Sequence, residues 1–207
     1  MKAKTAELWA KQDRHEGDRW RLFAAVGQAI PARSVFYPGS YVDLAPSFVF
    51  DSVTYLDADK RAPRFFADTQ GVAELIAHHE GPTEPDVLFI HGDYTDPLDL
   101  PEEHFDLLIS LYAGFISEHC TRHLKIGGTL LVNPSHGDAA MASIDPRYVL
   151  SGVVISGSGD YRVDANDLDT YMIPQQPQTI TADTLHQSGR GIAYTKSPFA
   201  YLFTRNE

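Results

Sequence analysis

The chain has 207 residues, 43% of them hydrophobic and 22% charged, which is one domain's worth of sequence with enough apolar material for a core. Its formal net charge of −11 argues against the broad basic face that nucleic acid requires, and its single cysteine, Cys120, excludes an internal disulfide. No apolar N-terminal run marks a signal peptide, and no stretch approaches the roughly 20 apolar residues of a membrane span, so a soluble, cytoplasmic protein is expected.

Residues 6–30 place Leu8, Trp9, Trp20, Leu22, Phe23, Val26 and Ile30 at helical spacing, with Gly17 dividing the stretch and Pro31 closing it. Ser34 to Tyr37 reads as a strand running into a Pro38-Gly39 turn. Val53 to Leu56 reads as a second strand, ending at Asp57. Arg61 to about His79 is helical and stops near Gly81-Pro82. Further strands are predicted at Val87–Ile90, Leu107–Ser110, Thr129–Val132, Val149–Ile155 and Tyr201–Thr204. Short apolar runs separated by helical stretches predict parallel strands joined by crossovers. Runs such as Leu107-Leu108-Ile109 lack polar alternation, as strands covered on both faces do. The expected architecture is therefore α/β, an open doubly wound sheet that binds ligands beyond the carboxyl ends of its strands. Residues 157–191 receive no firm element apart from a helix near Thr181–Gln187. They read as an insertion before the last strand.

The most specific pattern runs from Asp93 to Val132. Gly92-Asp93 ends an apolar run. A polar connection leads to Phe105-Asp106 and the strand Leu107–Ser110. An amphipathic stretch then leads to Leu124-Lys125-Ile126-Gly127-Gly128 and the strand Thr129–Val132. This order resembles the second half of a class I S-adenosylmethionine-dependent methyltransferase. The resemblance runs from Ser34 to Val132, with a fainter match to Phe203. It implies a doubly wound, mostly parallel, seven-stranded sheet. It also implies one domain over residues 1–207, with residues 1–32 as an N-terminal helical cap, and S-adenosylmethionine as cofactor.

The resemblance also implies roles for particular residues. Gly39 stands where the family's glycine motif begins, and a missing side chain there lets backbone approach the methionyl part of the cofactor. Tyr37 stands at the motif's acidic position. Tyr41 and Asp43 stand where later glycines fall, and Ser40 or Asp43 is positioned for the cofactor's amino group. Asp57, or Asp59 with the register shifted by two, takes the ribose hydroxyls, with Ala58 beside it. Asp93 and Tyr94 take the adenine. Ser110 and Leu111 end the fourth strand next to the cofactor.

On the acceptor side, Tyr112 and Phe115 lie near the transferred methyl group, where aromatic faces suit a cationic sulfonium. Tyr112 is the expected catalytic residue, and His136 is the candidate general base for an oxygen acceptor. Trp20, with Trp9, belongs to the cap over the acceptor. The insertion at 157–191 is expected near the same pocket. His119 and His123 are four apart and share a helical face if the helix continues, but Glu118 does not complete a metal-binding pattern, so no metal is expected. The expected partner is a small-molecule acceptor, with oligomerisation left open. Two other readings stay open: a methyltransferase-like protein that has lost turnover and serves in binding or assembly, and a nicotinamide-dependent oxidoreductase. The oxidoreductase wants a Gly-x-Gly-x-x-Gly turn that the chain lacks.

Overall fold

The computed structural model describes residues 1–207. Its sheet has eight strands: β1 (Ser34–Pro38), β2 (Ser52–Asp57), β3 (Asp86–His91), β4 (Phe105–Ser110), β5 (Leu124–Val132), β6 (Tyr148–Gly157), β7 (Asp160–Asp164) and β8 (Ala200–Arg205). Their order across the sheet is β3-β2-β1-β4-β5-β8-β6-β7. The pairs from β3 through β5 are parallel, and the pairs involving β8 and β7 are antiparallel. The expected count of seven is thus corrected to eight. The extra strand, β7, pairs with β6 as a hairpin at the sheet edge. Its sequence Asp-Tyr-Arg-Val-Asp buries no residue fully, so it shows no apolar run to read.

Alternate residues of the central strands enter opposite layers, as the two-residue period of a strand requires. Val35, Tyr37, Val53, Tyr55, Leu107 and Ile109 face one core, and Phe36, Leu56, Leu108, Leu130 and Val132 face the other. Helices α1 (Ala3–Gln12) and α2 (Asp18–Ala29) cover the first layer, with α3 (Ala62–Phe66) and α4 (Thr69–His78) beside them. Gly17, at a φ of 71°, divides α1 from α2, and the Asp13 carboxylate accepts its N–H at 2.9 Å. The expected helix over 61–79 breaks before Thr69. There Asp68 caps α4 through the Gly71 N–H, and its other oxygen accepts from Lys2 N and Thr5 Oγ1, each at 2.7 Å. The other layer holds α5 (Ile116–Cys120) and α6 (Asp138–Ile144), with α7 (Ala182–Ser188) packed outside α6.

Two crossovers carry less helix than a doubly wound sheet usually has. A single 3-10 turn, Ala45–Phe48, joins β1 to β2, and residues 92–104 join β3 to β4 with no helix. The β3 edge is accordingly thinly covered, and Leu88 is 50% exposed. Asp106 gives the Phe-Asp pair a structural role. Its carboxylate accepts from Arg33 N and Ser34 N at 3.0 and 2.9 Å and from Lys125 Nζ at 2.6 Å, tying the starts of β1, β4 and β5 together. No helix is long and apolar enough to cross a membrane.

Candidate active site

After β1 the chain moves to one side of the sheet, and after β3 it returns to the other, so the switch point lies between the tips of β1 and β4. Three strained residues sit at the strand tips. Tyr41, Tyr112 and His136 follow β1, β4 and β5, and each has a positive φ, of 51°, 62° and 58°. Side-chain-bearing residues in this region cost about 1–3 kcal/mol each and mark functional loops. Asn133 supports the middle one, its Oδ1 accepting the Tyr112 N–H at 3.4 Å.

Two cavities open at these tips. The smaller, of about 260 Å³, is lined by Gly39, Leu56, Asp57, Ala58, Gly92, Asp93, Tyr94, Tyr112 and Ala113. The larger, of about 480 Å³, lies between the α1–α2 linker and the sheet, and Arg19, Tyr112 and Phe199 form its inner wall. Tyr112 belongs to both and stands between them, 53% exposed.

In the smaller cavity, Asp57 Oδ2 accepts the Tyr41 N–H at 2.6 Å, and Oδ1 accepts the Asp59 N–H at 2.7 Å. Asp93 Oδ1 accepts from Thr95 N and Thr95 Oγ1 at 2.9 and 2.8 Å, and these bonds hold its pKa below the ordinary carboxylate value. Each carboxylate keeps lone pairs for a hydroxyl or amino donor. Gly92 adds no bulk, since a β-carbon there would meet nothing within 4 Å. The turn after β4 closes the floor. Any side chain on Gly39 would collide with the Ala113 methyl, and Gly39 itself has a φ of 69°.

Below the larger cavity lies a buried polar cluster. The Tyr37 hydroxyl donates to Asp43 Oδ2 at 3.2 Å, and Arg19 Nε approaches the same oxygen at 3.5 Å. Burial raises the pKa of Asp43, with Arg19 opposing it. Burial works against the charge on Arg19, but Tyr37 and Asp43 hold its pKa above the ordinary value. Arg19 Cζ sits 5.2 Å from the centre of the Tyr112 ring. Arg19 Nη1 and Ser40 Oγ are buried without a hydrogen-bond partner.

The structure gathers Gly39, Asp57, Ala58, Asp93, Tyr94 and Tyr112 around one cavity. The other sequence candidates lie elsewhere. Tyr37 and Asp43 are buried beneath the loop after β1, and Leu111 is buried in the core. Ser110 turns away from the cavity, its hydroxyl donating to Asp138 at the start of α6. Asp138 also accepts from Ser117 N and Ser117 Oγ, and burial lifts its pKa to about 6 against these bonds. Phe115 does not reach the acceptor side, because its ring packs edge-on against His186 at 4.9 Å, next to α6 and α7. Trp20 packs on His79 at 6.1 Å and lines neither cavity, so Arg19, one residue earlier, takes the position expected of it. His136 is exposed on its turn and lines neither cavity. His119 and His123 do not share a helical face, because α5 ends at Cys120. His123 bonds the Pro101 carbonyl at 3.0 Å, and His119 rests against Tyr94. No group of three His, Cys, Asp or Glu side chains is placed to hold a metal ion. Within residues 157–191, β7 flanks the larger cavity without lining it, since the Tyr161 hydroxyl donates to Asp18 at 3.0 Å and its ring meets Phe199 edge-on, whereas α7 packs on α6 in the other layer.

No family model and no curated protein matches the sequence. Solved structures do match. A candidate O-methyltransferase from Klebsiella pneumoniae superposes with a TM-score of 0.50 at 12% identity, covering 79% of this chain and 88% of that one. The chain has the class I methyltransferase fold. A candidate S-adenosyl-L-methionine-dependent methyltransferase from Methanococcus maripaludis matches at 15% identity and a TM-score of 0.49, over 63% of this chain and 61% of that one. The chain thus spans about three fifths of the length of the Methanococcus protein. At these identities the likeness concerns the fold.

For a methyltransferase fold, the chemistry of the smaller cavity suits a nucleoside. Two carboxylates, an open glycine and the half-buried Tyr94 ring meet there. The space over Gly39, where a methionyl chain would pass, holds the Ala113 methyl. Ser40 Oγ, buried without a partner, follows Gly39 directly at that closed space. The residues lining the smaller cavity therefore fit the nucleoside end of S-adenosylmethionine, while the turn of residues 111–114 occupies the space over Gly39. Tyr112 and Gly114, at φ values of 62° and 102°, give that turn its unusual backbone.

Proposed function

We propose that the protein is an S-adenosylmethionine-dependent methyltransferase acting on a small-molecule acceptor. The observation that carries this reading is the position of Tyr112, which lines both cavities at the switch point of the fold. The smaller cavity holds the nucleoside end of the cofactor, with Asp57 accepting the ribose hydroxyls, Asp93 the adenine amino group, and Tyr94 offering a face to the ring. The larger cavity holds the acceptor.

Bound cofactor supplies an electrophilic methyl group. The protein's own work is to align and to exclude. Methyl transfer needs the acceptor atom in line with the methyl group, so positioning supplies much of the rate. The Tyr112 ring forms the wall between the two ligands and offers its face to positive charge. Cap residues 1–32 close the larger cavity from outside through the α1–α2 linker.

A second reading has its own observation. The Ala113 methyl fills the space over Gly39, as it would in a methyltransferase-fold protein that binds a nucleoside and has lost turnover. Incubation with methyl-labelled S-adenosylmethionine and a panel of small phenols, carboxylic acids and amines separates the two. Labelled product together with stoichiometric S-adenosylhomocysteine supports the enzyme. Cofactor binding with no label transferred to any member favours the binding protein.

A further inference from the structure

The larger cavity carries an uneven set of charges. Six ionisable residues line it: Lys11, Asp13, Arg14, His15, Asp18 and Arg19. Its acids are already engaged. Asp13 accepts the Gly17 N–H at 2.9 Å, and Asp18 accepts the Tyr161 hydroxyl at 3.0 Å and lies 4.0 Å from Arg21. Lys11 is paired with Glu7 at 2.7 Å. The two arginines keep N–H groups without a partner. Arg14 makes no ion pair and no side-chain hydrogen bond in the chain, and Arg19 keeps Nη1 buried and unpartnered beneath Tyr112. A buried guanidinium N–H without a partner forfeits a charge-assisted hydrogen bond, and such vacancies are rare in folded proteins. This one lies at the wall of the larger cavity, in a chain whose net charge of −11 otherwise repels anions.

We infer that the larger cavity recognises a carboxylate, carried by an aromatic acceptor, through Arg19 and Arg14. This rests on the methyltransferase reading for the word acceptor, but the carboxylate site stands on its own residues. Tyr112 and Phe199 give the ring an apolar wall. A single negative charge suits the site better than the double charge of a phosphate, because Asp43 already neutralises part of Arg19 and two further acids line the cavity. Arginine is the residue of choice for such planar recognition, since its N–H groups are fixed in one plane.

The test uses phenylacetate and its neutral isostere phenylacetamide as probes, titrated calorimetrically into the full chain at low salt. S-adenosylhomocysteine is titrated in parallel. Phenylacetate is expected to bind about tenfold more tightly than the amide, the difference one charge-assisted hydrogen bond makes. Arg19→Met is expected to abolish that preference. Because it also strips Asp43 of its partner and can unfold the chain, Arg14→Gln on the exposed linker serves as the second variant, with a loss of about threefold expected for a more screened charge. Equal binding of acid and amide, or no saturable binding of either, overturns the inference. So does an Arg19→Met variant that keeps its phenylacetate affinity but loses S-adenosylhomocysteine, which would assign the guanidinium to the cofactor's own carboxylate. Discrimination between the probes without S-adenosylhomocysteine binding would instead sink the methyltransferase reading and leave the carboxylate site standing.

Discussion

Asp57 accepts the backbone N–H of Tyr41 at 2.6 Å, joining the tip of β2 to the loop that follows β1. The same carboxylate accepts from Asp59 N at 2.7 Å, so it organises two turns while facing the smaller cavity. Tyr41 is held at a φ of 51°, and its ring lies 4.8 Å from Arg61 Cζ, so the strained loop is braced from both ends.

Asp57→Ala removes both acceptors. The expected loss of stability is about 1–3 kcal/mol, the cost of leaving amides unpaired. S-adenosylhomocysteine affinity is expected to fall about tenfold or more as the ribose loses its acceptor. Urea unfolding and calorimetry on the same sample separate the two effects. An unchanged affinity in a folded variant would remove Asp57 from the ribose site.

Gly39→Ala is expected to destabilise by about 2 kcal/mol or more, because a left-handed backbone and a steric clash act together. Ala113→Gly removes the clashing methyl. In the double variant the steric part is expected to return, leaving only the backbone strain. A double-mutant cycle by chemical denaturation measures this coupling. Strict additivity would mean that the two residues do not meet in solution. Ala113→Gly alone is also expected to tighten S-adenosylhomocysteine binding by opening the space over Gly39.

Much of the sheet was legible because its central strands are covered on both faces, so Leu107-Leu108-Ile109 and Leu130-Leu131-Val132 stand out as unbroken apolar runs. Carboxylates at strand ends were legible for a similar reason. Asp57 ends such a run, Asp93 follows the apolar stretch of the edge strand β3 after His91-Gly92, and the sheet order then brings them to one cavity. β7 was not legible, since a half-covered edge strand of Asp-Tyr-Arg-Val-Asp has no pattern distinct from a loop. Ser110 and Phe115 were misplaced because their surroundings, α6 and α7, are distant in sequence. Arg19 was missed, although a signal existed. It lies three, four and seven residues before Leu22, Phe23 and Val26, the buried face of α2, where an arginine needs a partner.

Asp138 makes stability depend on pH in an unusual direction. Its folded-state pKa of about 6 lies above the ordinary 3.8, so the folded chain binds the extra proton between those values. Stability from this group is therefore greatest below pH 4, falls as pH rises through 6, and is about 3 kcal/mol lower beyond it. Asp138→Asn is expected to flatten the stability profile between pH 4 and 6. A profile identical to the wild type would show that the carboxylate does not titrate in that window.

Asp106 acts in the opposite sense. Partial burial works to raise its pKa, but the Lys125 ammonium and the Ser34 and Arg33 amides pull it down to about 2. Its contribution is full above pH 4 and is lost as pH falls towards 2. Asp106→Asn is expected to cost about 1–3 kcal/mol at neutral pH, since a charge-assisted network becomes a neutral one. Thermal unfolding at pH 7 and pH 3 checks this. An equal cost at both values would assign the loss to packing.

The most direct measurement is calorimetric titration of the intact chain with S-adenosylhomocysteine. The account expects one site with micromolar affinity, weakened in Asp57→Ala. Absence of binding at millimolar ligand would contradict it, and would mean that the Ala113 turn leaves the switch point closed to the cofactor.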